Sequence, residues 1–265
     1  MNLTLYKKEL KGSLKLLVIF AAVLTLYIVM IVDMFDPELA DALKQFEQMM
    51  PELMAAVGMT GATDTLAGFM ITYLYGFLLP VVPMVYTILR ANALVARYVD
   101  SGSMAALLAA PVPRSRVVRT QLGALYSGIV LLVGYCTAVE WASARLLFPG
   151  ELAAAELLRM NAGLLALQLL IGSVCFFFSC LCDDTRGSIA LGAGLPTLMY
   201  LVQMLANMGG KLEPFRYATF FTLYDPTALA AGQAAGWQGA AVLLAAALVL
   251  NLAAGAVFRR KDLPL

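Results

Sequence analysis

Six apolar runs, at about 16–32, 66–89, 122–141, 157–182, 188–206 and 239–258, set the terms on which this chain can fold. Each is near the roughly 20 residues that carry an α-helix across a hydrocarbon core. In lipid every backbone N–H and C=O must be satisfied within a helix or in a closed barrel. No run shows the alternation of a barrel strand, so helices remain. The composition agrees: 62% of the residues are hydrophobic and 13% charged, against about 45–50% and 25% in soluble domains. The expected fold is all-α, a single polytopic transmembrane domain over 1–265. It has six spans, an N-terminal interfacial helix and one short cytoplasmic helix.

Lys7, Lys8, Lys11 and Lys15 precede the first run as they would in a signal peptide. The run is long for a signal core and leads into "DMFDPE" with no small-residue cleavage site, so it reads as a retained span. Orientation follows from the basic residues. Thirteen of the 18 lysines and arginines fall on one side: the four lysines above, Arg90, Arg97, Arg114, Arg116, Arg119, Arg186, Arg259, Arg260 and Lys261. Seven acids crowd 33–64 on the other side. Both termini are expected in the cytoplasm.

The chain has no histidine, which removes His-based acid–base chemistry, HExxH zinc sites and Ser-His triads. No GxxxxGK[ST] loop occurs, so no P-loop ATPase site lies in this sequence. The arginines flank the spans without interleaved aromatics, which gives nucleic acid no platform. No cofactor, metal site or catalytic residue is expected, and the chain reads as a non-enzyme. The polar groups inside or at the ends of spans, Glu140, Asn161, Gln168, Gln203 and Asn251, read as packing or interfacial groups ahead of substrate ligands, with Glu140 at a wet outer end. Cys136, Cys175, Cys180 and Cys182 read as reduced thiols. A metal site at the Cys180–Cys182 pair beside Asp183 and Asp184 is the weaker reading.

Several stretches carry local signals. Residues 3–15 form an amphipathic approach to the membrane, with Leu3, Leu5, Tyr6, Leu10 and Leu14 at the interface and lysines toward headgroups. Leu39, Leu43, Phe46 and Met50 have helical spacing in the acidic outer connection. Pro80 and Pro83 interrupt the second span, as a gating hinge or as a fixed bend. Residues 207–238 are aromatic but too interrupted to cross, and suggest two short helices dipping into the outer leaflet, with Asp225-Pro226 as a turn or helix start. Small residues crowd the fifth and sixth spans and suit close packing within the chain or against a second copy.

The stretch "VDSGSMAALLAAPVPRSRVVRTQ" departs from its oily surroundings. Residues 103–110 are helical in composition, and Met104, Leu107 and Leu108 fall on one face. Pro111 ends that helix, and Arg114 and Arg116 follow. An apolar helix here needs lipid or a protein partner to cover it. The stretch resembles the cytoplasmic segment of type-2 ABC (ATP-binding cassette) transporter permeases: an acidic residue, Gly-Ser, a short helix with Leu-Leu, then Pro-Val-x-Arg. Asp100, Gly102, Ser103, Leu107, Leu108, Pro111, Val112 and Arg114 match in order. "CDDTRGSIALGAGLP", "FFTLYDPTALAAG" and "FRRKDL" agree, while Arg97-Tyr98 stands where many members carry a further acid.

The resemblance implies a permease with six spans that pairs with a second permease protomer, identical or different. It would dock on a separate cytoplasmic ABC ATPase subunit through this segment, the coupling helix. Asp100, Gly102, Ser103, Met104, Leu107, Leu108, Pro111 and Arg114 would form the coupling interface, Pro80 and Pro83 a gating hinge, and membrane lipid the remaining partner. The expected setting is a bacterial inner membrane and the expected direction is export. An ATP-independent carrier or channel, and a non-transport scaffold or immunity protein, are the competing readings.

Overall fold

A computed structural model describes residues 2–39, 45, 49–61, 63–102, 113–182 and 184–260. Six helices among the described residues are long and apolar enough to cross a membrane. They are α1 (Leu3–Asp33), α3 (Leu66–Tyr98), α4 (Arg114–Leu147), α5 (Ala154–Leu181), α6 (Thr185–Asn207) and α8 (Ala234–Arg260). Short helices α2 (Pro51–Ala56) and α7 (Pro226–Ala230) lie between them. No strand occurs among the described residues. The chain is an all-α, multi-pass membrane protein.

Helix α5 is the centre: 72% of its most apolar stretch is buried inside the protein, against 22% for α6 and for α8 and 28% for α1. Its Leu164, Leu167, Ile171 and Phe176 are fully enclosed. The other helices bury one side only. Val18, Ile19 and Leu26 of α1, Leu198 and Leu201 of α6, and Leu248, Val249 and Leu252 of α8 are exposed. In water such surfaces would be intolerable, but lipid is as apolar as leucine.

Helices run well beyond the apolar runs. Helix α4 begins at Arg114 rather than near 122, because Arg114, Arg116 and Arg119 are good helix formers that tolerate a headgroup or aqueous setting. The expected separate interfacial helix is continuous with the first span: α1 is one helix of 31 residues. Nothing but Gly12 interrupts it, and extending a helix costs less than nucleating a second one. Asn2 caps α1 by accepting from the Thr4 and Leu5 backbone N–H groups. The four lysines are exposed as expected, but Leu5, Glu9 and Ser13 are buried against protein, not turned to headgroups.

The second span has mixed geometry. It starts as α-helix over Leu66–Met70, widens to a π-helix over Ile71–Leu78 and returns to α-helix over Leu79–Leu94. The change comes at the prolines. Leu79 N–H still donates five residues back to Leu74 O, and the next residue, Pro80, has no N–H to continue either pattern. Pro83 leaves the Leu79 carbonyl without its i+4 donor. Gln168 of α5 reaches across to this turn, its Nε2 donating to the freed Leu79 O at 3.4 Å and to the neighbouring Pro80 O at 2.9 Å. The interrupted turn is held by a side chain that no solvent reaches.

Interhelical hydrogen bonds accompany the apolar packing. Asn251 of α8 donates to the Tyr126 hydroxyl at 2.5 Å, and Tyr126 pairs with Ser173 of α5 at 2.7 Å. Ser179 meets Ser188 at 2.9 Å where α5 turns into α6, and Asp184 caps α6 by accepting from Gly187 N–H. Cys136, Cys175 and Cys180 are buried and Cys182 is half-buried, and none of the four is in a disulfide. Asp183, the other acid beside the Cys180–Cys182 pair, lies outside the described residues.

Candidate coupling end and far-end cavity

The bundle has two ends with different chemistry. One, the near end, carries the start of α1, the end of α8, the Ala96–Asp100 turn after the second span and the start of α4. There Glu9 of α1 and Arg90 of α3 form an ion pair at 3.1 Å with both side chains only 6% exposed. Arg90 also donates to the Glu9 carbonyl at 2.6 Å, and the Tyr98 hydroxyl donates to the other Glu9 oxygen at 2.6 Å. Lys8 lies 5.3 Å from the Tyr98 ring centre, within cation–π reach. Asn2 N–H donates to Thr120 at 2.8 Å and Tyr6 pairs with Ser127 at 2.7 Å, which ties the arm to α4 as well. Tyr98, which stands where the resembled family often has an acid, is thus a fixed contact of the arm.

Of the expected coupling residues, three are described. Asp100 is exposed at the last residue of the Ala96–Asp100 turn. Gly102 follows with φ 68°, a left-handed conformation that suits glycine and lets the chain leave the turn. Arg114 opens α4 behind Pro113, which is extended at φ −64° and ψ 141°. Ser103, Met104, Leu107, Leu108 and Pro111 lie outside the described residues, as do Val112, Leu43 and Phe46. The structure therefore places the two ends of the segment at the near end, both rooted in helices that Glu9 and Thr120 tie to α1. Pro80 and Pro83, by contrast, are deep in the bundle and buried.

At the opposite end a cavity of about 190 Å³ opens between α2, α3, α6 and the segment that precedes α7. Its wall includes Tyr75, Gly76, Tyr200, Gln203, Phe221 and Tyr224. The segment expected as two dipping helices is a pair of 3₁₀ stretches, Gly210–Ala218 and Phe220–Leu223, followed by α7. Asp225 is the N-cap of α7 and accepts from Ala228 N–H at 2.9 Å, so Asp225-Pro226 is a helix start. Phe221 reaches inward against Tyr200, ring centres 5.1 Å apart. Part of the acidic connection closes the other side of the cavity. Gly58, at φ 73°, presses its backbone on Gly76: a Cβ on Gly58 would lie 2.9 Å from the Gly76 carbonyl oxygen, and one on Gly76 would meet the Gly58 carbonyl still closer.

Behind Tyr75 lies a cluster that sequence reasoning divided among separate roles. The Tyr75 hydroxyl donates to Glu140 Oε2 at 2.8 Å. Asn161 Nδ2 donates to the same carboxylate oxygen at 2.7 Å and to the Tyr75 oxygen at 2.6 Å. Glu140 was expected in water at a span end; it is wholly buried, because α4 continues to Leu147 and α5 covers it. Nothing in a single sequence pairs positions 75, 140 and 161. The hint was only that a carboxylate in an apolar run requires a partner.

No curated protein matches the chain. A family model does: residues 3–263 fit the one described as ABC-2 family transporter protein. The agreement runs from the first turn of α1 past the end of α8 and takes in both ends of the bundle. By that match the chain belongs to the ABC-2 transporter family, as a multi-pass membrane permease.

Proposed function

We propose that this chain is the membrane-spanning subunit of an ATP-driven exporter in a bacterial inner membrane, working with a separate cytoplasmic ABC ATPase and a second permease protomer. The observation that carries the reading is the family match over 3–263, on a sequence that contains no phosphate-binding loop. ATP is hydrolysed on the partner, and this chain supplies the path. The near end is the cytoplasmic one, as the basic residues direct. The coupling interface comprises Asp100, Gly102, Ser103, Met104, Leu107, Leu108, Pro111 and Arg114. What supports its mechanical role is the way its root is held: Tyr98 and Arg90 converge on Glu9, so a push on the segment passes into α1 and α3 together. The bend at Pro80 and Pro83 is the hinge where α3 converts that push into altered access, with Gln168 marking one braced state. The exposed apolar faces of α1, α6 and α8 meet lipid or the second protomer.

Docking is tested by Leu107→Asp combined with Leu108→Asp. Burying one leucine contributes roughly 1.5–3 kcal/mol, and each aspartate adds an unpaired charge. The expected outcome is loss of a co-purifying ATPase and of transport while the permease inserts at normal levels. Full ATPase recovery with full transport in this variant would refute the coupling reading.

A further inference from the structure

The second span turns Ile71, Tyr75, Gly76 and Pro80 to the far-end cavity. Ile71 and Gly76, and Tyr75 and Pro80, are each one π-helical hydrogen-bond interval apart. In an uninterrupted α-helix Pro80 would stand on the side opposite Ile71. The π-helical stretch Ile71–Leu78 therefore builds this wall, and such irregularities are frequent at functional sites. Helix α6 faces it with Tyr200, Gln203, Met204 and Asn207, the ordinary spacing of one helical face. Phe221 and Tyr224 form a third side.

The lining is aromatic and uncharged. No Asp, Glu, Lys or Arg lines the cavity among the described residues. The rings of Tyr75, Tyr200, Phe221 and Tyr224 do. Two of the hydroxyls are turned away from the open space: Tyr75 donates to Glu140 behind the wall, and the Tyr224 oxygen is buried. Charge appears only farther out. A wider pocket of about 430 Å³ shares Gln203, Asn207, Phe221 and Tyr224 with the cavity and adds Glu213, Arg216 and Asp225. On the shared wall the Thr222 hydroxyl donates to Gln203 Oε1 at 2.7 Å, and Gln203 Nε2 donates to Asn207 Oδ1 at 2.8 Å. Asn207 is exposed there, and its amide has hydrogen-bonding capacity left.

These features select a guest. A charged molecule would lose its water and meet no counter-charge on the lining. An uncharged aromatic ring finds other rings to pack against, with the Met204 thioether as an adaptable contact. The cavity measures about 190 Å³, and one of about 150 Å³ is enough for benzene. That leaves room for a single ring or a small fused pair, with one polar atom directed to Asn207.

We propose that the far-end cavity is a binding site for an uncharged aromatic small molecule with one polar group. The occupant touches Pro80 on one side and α6 on the other, so it bears on the same interrupted turn that Gln168 holds. The site belongs to the permease alone, and its failure would leave the family assignment and the ATPase coupling untouched.

The full-length permease in lipid nanodiscs is titrated with fluoroindole and followed by fluorine NMR, with empty nanodiscs correcting for partition into lipid. The expected result is a saturable bound component that indole displaces, while tryptamine, indole acetate and hexanol at the same concentration do not. Met204→Trp fills the cavity and should abolish binding. Phe221→Leu keeps an apolar side chain but removes a ring, and should weaken binding about threefold to tenfold. It decides the matter if Met204→Trp fails to fold. No saturable component in the wild type, undiminished binding in Met204→Trp or unchanged affinity in Phe221→Leu each overturns the proposal. So does displacement by tryptamine or indole acetate as effective as by indole, which would show a site indifferent to charge. Equal displacement by hexanol would overturn it as well, by marking a site for alkyl chains.

Discussion

Replacing Arg90 with methionine separates the cost of breaking a buried ion pair from the value of having one. In the intact protein Arg90 and Glu9 are each 94% enclosed and 3.1 Å apart. Arg90→Met leaves Glu9 with the Tyr98 hydroxyl alone and strands a carboxylate that was desolvated on the assumption of a partner. Such a loss costs about 3–5 kcal/mol, and the Glu9 carbonyl loses its donor too. For a chain of this size that is a fall in unfolding temperature of roughly 6–20 °C. Arg90→Lys recovers only part of it, because one ammonium cannot serve both the carbonyl and the carboxylate as the guanidinium fork does. The double variant Glu9→Met with Arg90→Met removes both charges and should return to within about 1 kcal/mol of the parent or exceed it. Reversible unfolding of the four proteins in one detergent gives the cycle directly. If Arg90→Met alone unfolds within 2 °C of the parent, or if the double variant falls as far as the single, the pair is wet and the burial argument fails.

Gln168→Leu should cost about 1–3 kcal/mol, since it orphans the Leu79 carbonyl freed by Pro83; adding Pro83→Ala should restore most of that stability, which thermal unfolding reads. Gly76→Val drives a side chain into the Gly58 backbone and should release the 51–61 segment, visible as faster amide exchange there with little change in α5. Single cysteines at Lys8, Ser115 and Lys261 should react in intact cells only with membrane-permeant reagents, and one at Gln48 with impermeant reagents as well; labelling of Ser115 from outside would invert the topology. The purified chain alone should hydrolyse no ATP, and activity that persists through rigorous purification would contradict the absence of a nucleotide site.

The six crossings were legible because burial in lipid acts on every residue of a run, so twenty apolar side chains report the same thing. Their ends were not. Arg114 and Lys8 lie in helices that hydropathy cannot follow, since a helix continues into the headgroups when no residue stops it. The prolines announced a break at residues 80 and 83, yet the π-helical stretch before them and the amide that braces them depend on Gln168, far away in sequence. The far-end cluster shows the same limit. Glu140 was visible as an oddity, but its enclosure depends on α4 running on past the apolar segment and on Asn161 facing the same point from α5. The motif around residue 100 pointed to the family, while the tie that holds Tyr98 beside it runs to Glu9, a pairing no local pattern encodes.

The bracing of the second span also bears on how this sequence could have arisen. Pro83 without Gln168 would leave a bare carbonyl in a dry core, while Gln168 without Pro83 would bury an amide with less to bond. Either order of substitution passes through a less stable ancestor. The two routes differ in depth, because an unmatched long amide can be partly satisfied by Thr87, whose hydroxyl lies 3.5 Å from the Gln168 oxygen. The shallower route acquires the glutamine first. The two positions are then bound as one inherited character, and a homologue that has lost the proline is free to lose the glutamine next.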